Sequence, residues 1–299
     1  MLDFAAPRGP TLTSKIAETD IAAYRRDGAV VLRNVLTPSD LVMLEQGIEE
    51  AYRAPTGRAS HMQGSHGQGR TMVDQLPSLG SPSLRAFLDL GIAAQLAGRM
   101  MGVPTAHFVL DQLFYKERGR VLPTPWHQDT PFLRVRGDDM ARVWLTCDPS
   151  PADLTIELVR GSHRWNVVYD TAMTAPSELQ TVSEGQDFSY SGMGSSALPT
   201  VPDIARYRDS FEILRWDVSP GDALIFNGNM LHGASGCDNH PTPRRAYASM
   251  WGGPALRHHN PPGAKSMPSV VEMSGVQIPH GAPIGTFPEA FPIGWTSEH

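Results

Sequence analysis

The sequence predicts a mainly β fold with flanking helices, its strands closing into a jelly roll. Three observations point there. Helix-like segments are concentrated in the first third, strand-like runs separated by turns fill roughly residues 106–255, and the 299 residues include 28 Gly and 26 Pro, a content suited to turns and short strands rather than a helical bundle. A chain of this length buries a substantial core. We read residues 1–18 as a flexible lead-in and 19–299 as a single domain. Within it, helical support spans about 19–105 and the β core about 106–255, with an insertion at about 167–215 and a proline-rich tail at 256–299.

In chain order, residues 20–27 form a short helix that Gly28 ends as a left-handed cap, and 29–35 read as a strand. Thr37-Pro38-Ser39-Asp40 starts the next helix, with a hydroxyl cap and Pro at the first helical position. Leu41, Leu44, Ile48 and Tyr52 share one face of it, which is core packing. Residues 55–74 loosen into Gly, Ser, Gln and His, including His61 and His66, and their irregular spacing suits a mobile substrate-side loop rather than a metal site. Residues 82–101 are helical by composition, with Gly91 and Gly98 as breaks.

Strands follow at 107–116 and 141–147. The first places Gln112, Phe114 and Lys116 on one face, and we read Lys116 as solvated at a strand end, an anion site being the alternative. A strand at 154–159 turns at Gly161-Ser162-His163. The Ser-, Gly- and Met-rich stretch 167–215, with Tyr169, Phe188, Tyr190, Tyr207 and Phe211, is too long for a bland connection and reads as a substrate lid. The tail from Gly252 is too proline-rich for a helix or central strand, and its apolar residues call for packing on the domain surface or on a partner subunit, so a homodimer is compatible with it.

Bulk properties exclude several function classes. A net charge of −6 lacks the basic face of a general nucleic-acid binder, and no apolar run is long enough for a membrane span. The first seven residues lack the basic-then-apolar pattern of a secretory signal. Two cysteines, Cys147 and Cys237, give neither a disulfide framework nor a thiolate metal site, and fit a reducing cytoplasm.

The chemistry-bearing stretch is Thr124-Pro125-Trp126-His127-Gln128-Asp129-Thr130. If it is extended, His127 and Asp129 point to the same side and converge on one point. A second imidazole would complete the two-His, one-carboxylate set of non-heme Fe(II) oxygenases. His232 is the candidate, at the end of the apolar run after Gly221-Asp222. Arg244 and Arg245 then open another apolar run, and an arginine fork there suits the distal carboxylate of a 2-oxo acid. Alternation lets only one of the two face the pocket.

This order of motifs resembles the phytanoyl-CoA dioxygenase family of Fe(II)- and 2-oxoglutarate-dependent oxygenases. The resemblance rests on Trp126-His127-Gln128-Asp129, Gly161-Ser162-His163-Arg164-Trp165, Gly221-Asp222 and Arg26-Asp27-Gly28-Ala29-Val30-Val31-Leu32, and covers roughly residues 20–255. It implies a double-stranded β-helix, more strongly than strand counting does. It also implies a metal triad of His127, Asp129 and His232, with Fe(II), 2-oxoglutarate and O2 yielding succinate, CO2 and an oxidised C–H bond. Matching Arg-Arg-Ala-Tyr-Ala to the family's Arg-x-Ala-x-Ser favours Arg244 over Arg245 for 2-oxoglutarate, with Ala248 standing where Ser is usual. Gln128 and Trp144 are implied cosubstrate contacts, and His163 a hydrogen-bonded turn residue rather than a ligand. Ala152-Asp153 and Arg160 depart from the family's pattern around the 154–159 strand.

Related halogenases carry Ala or Gly at the position of Asp129, so its carboxylate implies hydroxylation or another oxidation without halogen. Phe114, Phe132, Met193 and the lid aromatics suggest a small organic substrate with apolar surface. Arg134, Arg136 and Arg142 are either a solvated face or partners of an anionic group on that substrate. The alternatives are a jelly-roll metalloenzyme that does not use 2-oxoglutarate and an inactive binding module on the same fold.

Overall fold

A computed structural model describes residues 16–64, 69–170, 179–181, 198–260 and 270–297. Residues 1–15 of the lead-in, His66, Phe188, Tyr190 and Met193 lie outside them, as do 171–178 and 182–197 of the expected lid.

Four helices come early: α1 (Glu18–Asp27), α2 (Pro38–Arg53), α3 (Pro82–Asp89) and α4 (Ile92–Met101). Gly28, at φ 89°, ends α1 by donating its N–H to Tyr24 O. Thr37 and Asp40 exchange side-chain and backbone hydrogen bonds at the start of α2, which carries Pro38 in its first turn. Gly91, at φ 71°, separates α3 from α4. Gly98, by contrast, stays helical, because a close contact and not a break explains it: a Cβ there would lie 2.3 Å from the Trp295 ring.

The strands are β1 (Ala29–Leu32), β2 (Ser60–Gly64), β3 (Arg70–Gln75), β4 (Thr105–Lys116), β5 (Gly119–Val121), β6 (Thr124–His127), β7 (Val135–Arg136), β8 (Met140–Thr146) and β9 (Ile156–Val159). Then come β10 (Leu179–Thr181), β11 (Ile213–Leu214), β12 (Ala223–Asn227), β13 (His232–Ala234), β14 (Cys237–His240), β15 (Arg244–Gly252), β16 (Arg257–His258) and β17 (Ile293–Thr296). The major sheet runs β1-β12-β8-β15-β4-β3-β2-β10, with β17 added against β4. The minor sheet runs β11-β9-β13-β6. Every pairing is antiparallel, and the interleaved order is that of a jelly roll.

Alternation along the strands sorts the core into two parts. Val143, Leu145, Tyr247 and Trp251 face the helices and join Leu44, Phe87, Leu96 and Met100. Trp144, Leu224, Phe226, Ala246 and Ala248 face the interior and pack with Leu158 of the minor sheet. The same parity puts Arg244 on the interior side and Arg245 on the helix side.

Two local expectations are corrected. Within the expected loop 55–74, residues 60–64 and 70–74 are not loose: β2 and β3 extend the major sheet, and β3 pairs with β4 from Thr71↔Lys116 to Gln75↔Gln112. The tail is not free of regular structure, since it supplies a short helix α5 (Val270–Ser274) and β17. It packs against the helices and the major sheet, with Trp295 on Gly98 and Gly294 so close to the Trp251 ring that a Cβ there would clash with it. Gly98→Val should lower stability by roughly 1–3 kcal/mol through overpacking. Denaturant unfolding checks this, and an unchanged midpoint would dislodge the tail from that groove.

Candidate metal centre

Strand β6 ends at His127, and the segment through Asp129 is not extended as the sequence suggested. Asp129 has helical angles, φ −73° and ψ −38°, and leads into a 3-10 turn at Thr130–Phe132. Backbone bonds from Asp129 N and Thr130 N to Gly228 O, 3.1 and 3.2 Å, hold the turn against the loop that leads into β13. His232 opens β13 directly opposite His127. A turn and a strand pairing, rather than one strand face, therefore bring the three groups together.

They converge closely. One candidate ligand atom from each of His127, Asp129 and His232 lies within 4.8 Å of the others. Asp129 Oδ1 is 4.0 Å from His127 Nε2 and 3.8 Å from His232 Nε2. Each imidazole has its Nδ1 on a backbone carbonyl, Pro125 O at 2.7 Å and Met230 O at 3.0 Å. A carbonyl only accepts, so the proton sits on Nδ1 and the Nε2 lone pair is left for a cation. Burial pushes His127 down to about 3, with His232 adding to the effect, and burial lowers His232 as well. Both rings are thus neutral ligands at neutral pH. Burial alone would raise the Asp129 carboxyl, but the Arg142 guanidinium and the two imidazoles outweigh it and hold it below its usual range.

The triad opens onto a cavity of about 120 Å³ between the sheets, lined also by Phe114, Phe132, Trp144, Lys116 and Arg244. Phe132 is buried and meets the His127 ring edge-on at 6.0 Å. Arg244 donates from Nη2 to Ser150 Oγ at 3.0 Å and to Leu154 O, whereas its buried Nη1 has no partner among the described residues. Thr155 Oγ1, on the same lining, also lacks one. Lys116 completes this end: burial and the Arg244 charge lower its amine to about 7, and it donates to Leu122 O at 3.5 Å. Lys116 therefore lines the cavity instead of standing solvated at a strand end. Its placement on one face with Gln112 and Phe114 was the sequence signal, and both of those also line the cavity.

Five side chains are engaged otherwise than the sequence suggested. Arg245 borders the cavity, but its guanidinium is taken up by Asp148 at 2.9 Å, Glu49 at 3.0 Å and Glu45 at 2.7 Å. Gln128 is buried away from the cavity, donating to Val167 O and Asn229 O and accepting from Tyr169 N. It ties the start of the insertion to the loop before His232. Arg134 lies outside the lining, bound to Asn260 and Glu272 of the tail. Arg136 caps backbone carbonyls of Thr130, Leu133 and Val135. Arg142 is not on a solvated face; it borders the cavity with its guanidinium buried against Asp129. His163 bonds through Nε2 to Arg25 O at 3.3 Å, away from the triad.

A family model described as phytanoyl-CoA dioxygenase matches residues 24–246. The chain belongs to this family. Among solved structures it is similar to SnoN, a non-heme α-ketoglutarate-dependent epimerase from nogalamycin biosynthesis, with 18% identity, a TM-score of 0.64 and coverage of 93% of this chain and 98% of that one. The carbocyclase SnoK of the same biosynthesis gives 17%, 0.65, 95% and 99%. EctD from S. alaskensis, solved with 2-oxoglutarate and 5-hydroxyectoine, gives 15%, 0.59, 89% and 89%. At these identities the likeness concerns the fold, which is the jelly roll common to such enzymes. A search of curated protein sequences found no match. Among the described residues, no helix is long and apolar enough to cross a membrane.

The residues present fit the family's iron. Two neutral imidazoles and one carboxylate, buried and free of thiolate, form the donor set for a non-heme Fe(II) centre with open positions.

Proposed function

We propose that the chain is an Fe(II)- and 2-oxoglutarate-dependent dioxygenase that hydroxylates an unactivated C–H bond of a small organic molecule, releasing succinate and CO2. The observation that carries the reading is one cavity with a metal triad at one end and an unfilled anion cradle at the other. His127 Nε2, His232 Nε2 and Asp129 Oδ1 would hold Fe(II), which supplies the oxidative decarboxylation of the cosubstrate and activation of O2. Arg244 Nη1, Thr155 Oγ1 and Lys116 would receive the distal carboxylate of 2-oxoglutarate. A charge-assisted bond from a half-buried guanidinium with an idle nitrogen is worth about 1.5–3 kcal/mol. Phe114, Phe132 and Trp144 exclude water from the space between. Asp129 fills the place that a halide would need, which favours hydroxylation over halogenation.

Two measurements test this. Anaerobic titration of Fe(II)-loaded protein with 2-oxoglutarate should produce the weak visible charge-transfer band of a chelated 2-oxo acid. Its absence in fully metallated protein would favour a jelly-roll metalloenzyme that does not use 2-oxoglutarate. Once succinate release has identified a substrate, hydroxylation should place one atom of ¹⁸O₂ in the product. An unlabelled, epimerised or cyclised product would replace hydroxylation with the kind of outcome named for SnoN or SnoK.

A further inference from the structure

The two oxygens of Asp129 face different partners. Oδ1 faces the two imidazole Nε2 atoms at 4.0 and 3.8 Å, while Oδ2 is 3.1 Å from Arg142 Nη1. Both side chains are almost wholly buried, 5% exposed for Arg142 and 4% for Asp129. The guanidinium is held at three points: Asp129, the Gln112 Oε1 that accepts from Nη2, and the Phe114 ring, whose centroid lies 5.7 Å from Cζ. A planar fork fixed in this way cannot follow the carboxylate if it rotates. Arg142 reaches this place from β8, whose pairing with β12 sets it opposite Phe226.

We propose that Arg142 is a positioning residue that keeps Asp129 a one-oxygen ligand. This rests on the iron-centre reading above and goes beyond it. With Oδ2 occupied by the guanidinium, only Oδ1 is available to a cation, and two imidazoles plus one oxygen fill three of six octahedral positions. A chelating 2-oxo acid would need two of the remaining three, which would leave one open. Without Arg142, both carboxylate oxygens can turn to the metal and that last position is consumed. Arg142 also sets a buried positive charge near the cation, so it lowers metal affinity as the cost of keeping the position open.

The test uses full-length protein loaded with Mn(II), with the dissociation constant measured by titration and metal-bound waters counted by proton relaxation. In Arg142→Met, Mn(II) should bind roughly tenfold more tightly, because a like charge is removed. One fewer exchangeable water should remain. Arg142→Gln is the second neutral variant: its polar amide is two bonds too short to span to Asp129, and it should give the same shift. Arg142→Lys keeps a cation in place and should stay near the wild-type affinity and water count. A merely structural role predicts weaker binding in all three. Unchanged water counts in the neutral variants, weaker binding in them, or a Lys variant that behaves like Met would each overturn the proposal. His127→Ala is the control, and if it still binds Mn(II) normally, the metal-site reading itself fails, separately from the role of Arg142.

Discussion

His127→Ala, His232→Ala and Asp129→Ala should each weaken Fe(II) binding by more than about 100-fold, since loss even of an outer partner of a ligand typically costs 10- to 100-fold. Their effects on stability should differ. Each imidazole is neutral in the metal-free chain and makes one backbone bond, to Pro125 O or Met230 O, so either can be removed with a modest loss. Asp129 is the buried counter-charge of Arg142. Its removal strands the guanidinium and should cost about 3–5 kcal/mol, the usual result of breaking a buried ion pair from one side. Thermal or denaturant unfolding of the metal-free proteins, beside Fe(II) titration, separates the two effects. Full metal binding in any one variant would remove that residue from the centre, and equal stability losses in all three would sink the ion-pair argument.

Arg244→Ala should raise the 2-oxoglutarate concentration for half-saturation by roughly 10- to 100-fold, the equivalent of one lost charge-assisted bond. Its stability loss should be confined to the Nη2 bonds to Ser150 Oγ and Leu154 O, about 1 kcal/mol, because the idle Nη1 contributes nothing to the fold. Arg245→Ala should do the reverse. Its guanidinium bonds Asp148 through both Nε and Nη2, at 3.0 and 2.9 Å, and reaches from β15 to Glu49 of α2. These groups are partly exposed, which limits the expected loss to about 1–2 kcal/mol. The requirement for 2-oxoglutarate should stay within about threefold of the wild type, a shift well under 1 kcal/mol. Steady-state succinate formation against 2-oxoglutarate, paired with unfolding curves, gives both quantities, and the opposite ranking would hand the cosubstrate to Arg245.

Much of the architecture was legible because it is written in local chemistry. The Thr37–Asp40 capping box, the Gly28 cap and the alternation that puts Trp144 inward and Val143 outward are each decided within a few residues. The hairpin of β2 and β3 was missed because its Gly-, Ser- and Gln-rich residues carry little strand preference. It forms because the edge of β4 offers backbone partners from Gln112 to Lys116. Gly98 looked like a helix break for the same kind of reason: the residue that explains it, Trp295, lies almost two hundred positions away.

The sequence by itself determined the candidate ligand types, their order and the rule that only one of Arg244 and Arg245 faces inward, because a motif with fixed spacing and a strand with a period of two carry that information locally; the preference for Arg244 came from the resemblance to the family. It did not determine how the ligands meet, since Asp129 arrives through a helical turn held by Gly228 rather than on a continuous strand. Nor did it determine what stands behind them. Tertiary structure alone decided that Gln128 turns away to tie the insertion, that Lys116 faces the cavity and that Arg142 clamps Asp129. The physical reason is shared. A buried charge is tolerated only where another strand brings a counter-charge or a ligand to it, and which strand does so is fixed by sheet order, not by neighbours in the chain.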